Sequence, residues 1–387
     1  MRAAMRGRAI VVAGLTALAL TATACGSSDS DTSDASSGDT YTIGVLNSTT
    51  GALGAVGQQE AKGMRLAVEE INAAGGVKGR KLKLEEVDDQ GSVNLTTAGF
   101  KKLATDTKVP IVIGPGISAN AKAVAPLADQ YGVTQILLVA QPDVANGTKH
   151  VFETPLPGKA NSEAMVEYAK TKGVKTAAII WANNPYGQAG NSDVSNAAKA
   201  AGISIVNSEG FDPGKFDFTA QAGKAAGKKP DAIFLYGAGG SSDALVLKNV
   251  GATGYGGQII GDLTYSADFI PETAGPAANK VVSLTAVNYG APEPDTKKFL
   301  DEYRAKFGDE ATVLGAYAYV AVKLAAAGIE KAASYKGDDI SKAIESLNYK
   351  SIIGTLAYTD KYHGGPSADA FKPVTFKDGK YAAPDAG

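Results

Sequence analysis

The sequence predicts an α/β protein made of two doubly wound, parallel-sheet lobes. From Tyr41 onward, short apolar runs of strand length alternate with longer amphipathic stretches of helical spacing. The alternation comes in two series, separated by a break near Phe152–Gly158. The length, 387 residues with 44% apolar, is enough for two cores, and the 46 glycines suit many strand-to-helix turns. Repeated strand–helix–strand units imply parallel sheets with helices on both faces.

The elements follow in order. Thr42–Leu46 (TIGVL) reads as a buried strand. Over Gly57–Ala73, Met64, Leu66, Ala67, Val68 and Ile71 recur with charges between them, which predicts a helix that Gly75-Gly76 ends. Lys81–Val87 alternates as a strand, Val93–Thr105 is helical, Pro110–Gly114 is a strand, Ser118–Gln130 a helix and Gln135–Ala140 a strand. After the break come a strand at Thr176–Trp181, a helix at Tyr186–Ala201 and a strand at Ile203–Ser208. A helix at Phe218–Ala226, a strand at Asp231–Tyr236, a helix at Ser241–Val250 and a strand at Gln258–Gly261 complete the second series. Late helices are expected at about Asp295–Phe307, Ala311–Ala333 and Asp338–Leu347.

Composition excludes several functions. Lys+Arg (38) nearly balances Asp+Glu (40), for a net charge of −2, so no basic footprint for nucleic acid is present. Two histidines and one cysteine leave little for metal or thiol chemistry. Gly114-Pro115-Gly116 with Ala119 imitates a dinucleotide fingerprint only weakly, and Gly237–Ser242 (GAGGSS) lacks the phosphate-loop lysine. Neither a GxSxG elbow nor an HExxH pair occurs. His150 and His363 lie in polar loop sequence and are expected to be solvated. The chain is therefore not read as an enzyme, and it needs no cofactor.

Arg2, Arg6 and Arg8, an apolar run from Ala9 to Leu20 and small residues before Cys25 have the layout of a secretory signal. The run is shorter than the roughly 20 residues a membrane span needs. Residues 1–24 are read as the signal peptide. Residues 25–40, mostly Ser, Asp, Thr, Ala and Gly, are read as a disordered tether with nothing large to bury. The residues before Cys25 resemble a bacterial lipobox, with Ala22 where Leu is usual. The resemblance implies a lipidated Cys25 and an extracytoplasmic body held at the outer face of the cell membrane.

Five segments carry a wider resemblance, in the same order as in the family: IGVLNSTTGALGAVG (43–57), GMRLAVEEINAAGGVKGRKLKLEEVDDQG (63–91), IGPGIS (113–118), AVAPLADQYGV (123–133) and NPYGQ (184–188). The chain resembles the type I periplasmic binding proteins, in particular the Leu/Ile/Val-binding-protein-like receptors of ABC importers. The resemblance implies a three-segment hinge, with crossings near Glu153–Pro157, Val287–Tyr289 and Leu356–Thr359. The first lobe would then be 41–154 plus 288–355, and the second 155–287 plus 356–387. It further implies a monomer that takes an amino acid or a related small carboxylate or amide between the lobes and passes it to a permease. A ligand sensor of the same fold (an amide-sensing type) is the alternative.

Candidate ligand-binding residues sit at strand ends. Ser118 follows a strand and a Gly-Pro-Gly turn and opens a helix, where a hydroxyl cap and free N–H groups attract an anion. The resemblance gives that position a ligand carboxylate. Val139, Ala140 and Gln141 match a segment that meets the ligand's amino and carboxylate groups. Leu138 and Gln141 depart from the family pattern there, and Gln141 either reaches the ligand or faces solvent. Tyr186, in the PYG turn, matches a ring that packs on the ligand. Asp262, or Leu263 if the register differs by one, matches a carboxylate that pairs an ammonium; without a cation its burial would be costly. Tyr236, Thr50, Gly237, Tyr265 and Asn47 are further candidates on edge loops. Asp88-Asp89 is expected to make loop hydrogen bonds.

Overall fold

The computed structural model describes residues 40–51, 53–140, 142–155, 157–366 and 368–384. The expectations for the signal peptide, for Cys25, for all of the tether except Thr40, and for Gln141 lie outside these residues.

The first half builds β1 (Thr40–Asn47), α1 (Gly54–Ala73), β2 (Lys81–Asp88), α2 (Val93–Thr105), β3 (Ile111–Ile113), α3 (Ser118–Tyr131), β4 (Thr134–Leu137), α4 (Pro142–Ala145) and β5 (Val151–Glu153). Its five strands pair in parallel in the order β2-β1-β3-β4-β5. Successive residues of β1 serve opposite faces. Ile43 and Val45 pack with Met64 of α1, while Leu46 packs with Phe100 and Leu103 of α2 and Val124 of α3. Helices therefore cover both faces, which is why these strands read as apolar runs.

The second series is α5 (Gly158–Thr171), β6 (Thr176–Ala182), α6 (Pro185–Ala200), β7 (Ser204–Phe211), α7 (Thr219–Gly227), β8 (Ala232–Tyr236), α8 (Ser241–Ala252), β9 (Gln258–Gly261), α9 (Ile270–Ala274) and β10 (Val281–Thr285). Then follow α10 (Pro294–Phe307), α11 (Val313–Lys331), α12 (Gly337–Glu345), the hairpin β11 (Asn348–Ser351) with β12 (Gly354–Ala357), and finally β13 (Lys372–Lys377) and β14 (Lys380–Ala382). The second sheet runs β14-β13-β10-β9-β8-β6-β7, with β13 antiparallel to β10 and β14 antiparallel to β13. Its parallel part, β7-β6-β8-β9-β10, has the same order of connection as the first sheet.

The late helices return to the first sheet. α11 lies along α1, and α12 reaches β4, where Thr134 Oγ1 donates to Gly337 O at 2.8 Å. α11 is long and apolar enough to cross a membrane, but most of it is buried in the core. The chain thus passes between the two sheets three times: after β5, after β10 and after β12. The last passage is pinned by His363, whose Nδ1 lies 2.8 Å from Val151 O and whose ring stacks on Phe152 at 4.3 Å.

Both histidines correct the sequence reading. His150 and His363 are buried, at 4% and 0% exposure, not solvated. His150 bridges Asp129 and Asp338 at 2.9 and 3.0 Å, and His363 Nε2 lies 3.0 Å from Glu345. Their partners come from segments distant in sequence, so the polar residues flanking each histidine gave no sign of burial.

Candidate ligand-binding site

In each sheet the order of strands reverses beside the first strand: between β1 and β3 in one, and between β6 and β8 in the other. Open α/β sheets bind ligands at such switch points, outside the carboxyl ends of the strands. The candidate residues collect there. Thr50 follows β1, Ser118 follows β3 and Ala140 follows β4; Tyr186 follows β6, Tyr236 ends β8 and Asp262 follows β9.

At the first switch point, Ile117 is the N-cap of α3 and supplies no side-chain cap, so Ser118 is the first helical residue and not the cap that was expected. No described residue accepts a hydrogen bond from the Ser118 hydroxyl. The first-turn N–H groups and the helix dipole face this end of the sheet. The β4 loop lies alongside, with Leu138 N donating to Pro115 O at 3.2 Å, which brings Ala140 near the same turn. Thr50 is committed to the loop instead. Its hydroxyl donates to Asp88 Oδ2 at 2.6 Å, and that bond is the main reason the Asp88 carboxyl lies below its ordinary range. Asp89 accepts from Ser48 Oγ, from Thr96 Oγ1 at 2.6 Å, from Gly91 N at 3.0 Å and from Asn120 Nδ2 at 3.2 Å. Asp88 and Asp89 are thus loop anchors, as expected. Asn47 is likewise structural, donating to Gly57 O at 2.7 Å.

One acidic residue at this switch point was not singled out from sequence. Glu60, on α1, is 2% exposed, and among the described residues it has neither a hydrogen-bond nor an ion-pair partner. Burial, and secondarily Asp89, push its carboxyl up to about 8. The signal was present in the helical spacing: Gly57, Glu60, Met64 and Ala67 share the buried face of α1.

At the second switch point, Asn184 caps α6 by accepting from Gly187 N at 2.8 Å and fixes the turn that presents Tyr186. Asp262 is fully buried. It accepts from the Tyr186 hydroxyl at 2.8 Å, from Gly237 N at 3.1 Å and from Thr264 Oγ1 at 2.7 Å. Burial is the main cause that lifts its carboxyl to about 7; nearby Asp243 adds to the rise, while the Thr264 and Tyr186 bonds oppose it. Leu263, the other register, points its N–H at Asn161 Oδ1 at 3.3 Å. Tyr236 stands behind Tyr186, with ring centroids 5.0 Å apart and its hydroxyl 3.3 Å from Gly158 O. Burial raises both phenols, in Tyr186 well above the ordinary value. Tyr265 is 0% exposed within the second core.

The arrangement offers free helix N–H groups and a hydroxyl on one sheet and, on the other, a buried acid hydrogen-bonded to a tyrosine hydroxyl. Among the described residues no cluster of three His, Cys, Asp or Glu could hold a metal. A cavity of about 580 Å³ lies elsewhere, beside the second and third crossings, and Asn288, Thr296, Ser351 and Lys372 are among its walls. None of the candidate residues lines it.

Comparison with known proteins identifies the family and the fold. Residues 40–377 match the model of the periplasmic binding protein family. The chain is 31% identical over 353 residues to the Leu/Ile/Val-binding protein homolog 3 of Brucella melitensis, covering 88% of this chain and 92% of that one. It is 27% identical over 334 residues to the leucine-, isoleucine-, valine-, threonine- and alanine-binding protein of Pseudomonas aeruginosa, covering 84% and 87%. Among solved structures, the isoleucine complex of the branched-chain amino acid transporter substrate-binding protein of Streptococcus pneumoniae has the same fold. Its TM-score is 0.78 at 24% identity, over 89% of this chain and 98% of that one.

Proposed function

The chain belongs to the periplasmic binding protein family, whose members are extracytoplasmic solute-binding receptors and not enzymes. From that premise we propose that it captures an amino acid or a related small carboxylate or amide between its two sheets and delivers it to an ABC permease. The observation that carries this reading is the pair of matching switch points, one offering Ser118 and the uncapped start of α3, the other Tyr186 over Asp262. A ligand carboxylate suits the first, because free N–H groups and the dipole favour negative charge. A ligand ammonium suits the second, because a buried carboxylate without a cation is costly. Closure of the lobes 41–154 plus 288–355 and 155–287 plus 356–387 is driven by differential affinity for the closed state. A lipid on Cys25 would hold the receptor at the membrane beside its permease.

The relatives' names make branched-chain amino acids the first cargo to test. A thermal-shift screen of the purified protein against amino acids, amides and small organic acids checks the cargo class. A ligand that binds only the folded state raises the melting temperature, by about 2.7 kcal/mol of stabilisation at a hundredfold excess over Kd. The expected result is a shift with L-leucine, L-isoleucine or L-valine and a smaller one with their des-amino analogues. A shift with des-amino acids alone would remove the ammonium role from Asp262.

A further inference from the structure

We propose that Glu60 is a ligand-binding residue of the first sheet, a carboxylic acid whose O–H donates a hydrogen bond to the ligand carboxylate beside the start of α3. The inference rests on the receptor reading above and adds to it a contact on α1, which follows β1, opposite Ser118, which follows β3. Those two helices flank the switch point.

Three observations carry it. First, Glu60 is 2% exposed and has no partner among the described residues, whereas neighbouring Asp89 accepts four hydrogen bonds. The Glu60 oxygens are not among the fully enclosed polar atoms, so this nearly buried carboxyl group without a partner among the described residues stays open to a ligand. Second, its oxygens lie against Gly116, in the turn that opens onto Ser118. A Cβ added to Gly116 would stand 2.6 Å from Oε1 and 3.0 Å from Oε2, so glycine is what leaves room for the carboxyl group there. Third, the surroundings hold the acid in its protonated form. Burial and Asp89 lift it to about 8, so at neutral pH it carries an O–H donor. Among the described residues no cation is placed to ionise it. The Gly114–Ile117 turn contributes no charged side chain and α3 brings Ser118 and Asn120. On α11, which packs along α1, Lys323 is taken by Glu70, nearly three turns further along. A proton donor, a serine hydroxyl and free helix N–H groups at one turn suit a carboxylate, and the ligand is held by a short O–H···O⁻ bond.

The test uses the full-length protein, with L-leucine and 4-methylpentanoate, the same carbon skeleton without the amino group, as probes. Glu60→Gln keeps a neutral donor, and Glu60→Leu removes it. Calorimetric titration at pH 7 is expected to show Glu60→Gln within about threefold of wild type and Glu60→Leu weaker by tenfold or more. The ratio of wild-type to Glu60→Gln affinity should then fall about tenfold per pH unit above about 8, as the wild-type acid loses its proton; taking the ratio cancels titration of the probe itself. Circular dichroism confirms that each variant is folded. Wild-type binding that Glu60→Leu leaves unchanged overturns the role of Glu60 and spares the receptor reading. An affinity ratio that rises with pH overturns it too, by assigning Glu60 to an ammonium. If neither probe binds the wild-type protein, leucine-like cargo and this inference fail together, and the receptor reading rests on the thermal-shift screen.

Discussion

Gly63→Val is expected to destabilise the fold by roughly 3 kcal/mol or more, enough to lower the urea midpoint clearly at unchanged slope. α1 and α11 cross at Gly63, where a Cβ would stand 2.0 Å from the carbonyl oxygen of Gly315 and 2.8 Å from its carbon. Both obstructing atoms are backbone, so no side chain can swing aside, and the helices must separate. The damage should extend to the site, because Glu60 lies one turn earlier on the same helix. A Gly63→Val protein with the wild-type midpoint would show that the two helices are not packed this closely.

Asp262→Asn is expected to trade affinity for stability. The asparagine oxygen can still accept from Gly237 N and Thr264 Oγ1, and its amide group can donate to the Tyr186 hydroxyl oxygen, but it cannot pair an ammonium. Affinity for an amino-acid ligand should fall about a hundredfold, in line with the loss of one buried charge-assisted contact. Stability should move the other way. Asp262 titrates at about 7 in the fold against 3.8 without it, so the folded protein holds its proton more tightly. That contribution is complete below about pH 4 and is lost as the pH rises to about 7. The asparagine variant loses nothing across this window and should be the more stable protein at pH 8, by up to about 4 kcal/mol. Chemical denaturation of both proteins at pH 4 and pH 8, without ligand, measures it. An equal difference at the two pH values would mean that Asp262 is not a buried acid.

Most of the fold was legible because doubly buried parallel strands are short apolar runs between helices of clear period. The helix Val93–Thr105 and the strand Gln258–Gly261 have the expected bounds. α5 was passed over because its buried face is partly polar. Asn161 is fully buried there and ties the second sheet together, donating to Leu284 O at 2.8 Å while accepting from Leu263 N. No hydropathy pattern marks such a face. β5 has three residues, too few to show a period, and the closing strands β13 and β14 pair antiparallel outside the repeated unit. In the site, Tyr186 and Asp262 were found as separate candidates, but their hydrogen bond joins residues 76 apart in sequence. The bond from the Thr50 hydroxyl to Asp88 was not legible, because a hydroxyl after a strand looks the same in sequence whether it serves a ligand or the loop. Glu60 was missed because a charge in a helix reads as solvated unless its phase is compared with that of Gly57, Met64 and Ala67.

The central claim is that one ligand is held by both sheets at once. Equilibrium titration of the ligand found in the thermal-shift screen into wild type, Ser118→Ala and Tyr186→Ala tests it most directly. Each substitution removes a group from only one switch point, and Tyr186→Ala also gives up the packing of its ring on Tyr236. Affinity is expected to fall tenfold or more in both variants, with the melting temperature without ligand within a few degrees of wild type in Ser118→Ala and lower in Tyr186→Ala. Full affinity in either variant would put the ligand on a single sheet or elsewhere, and would contradict capture between the lobes.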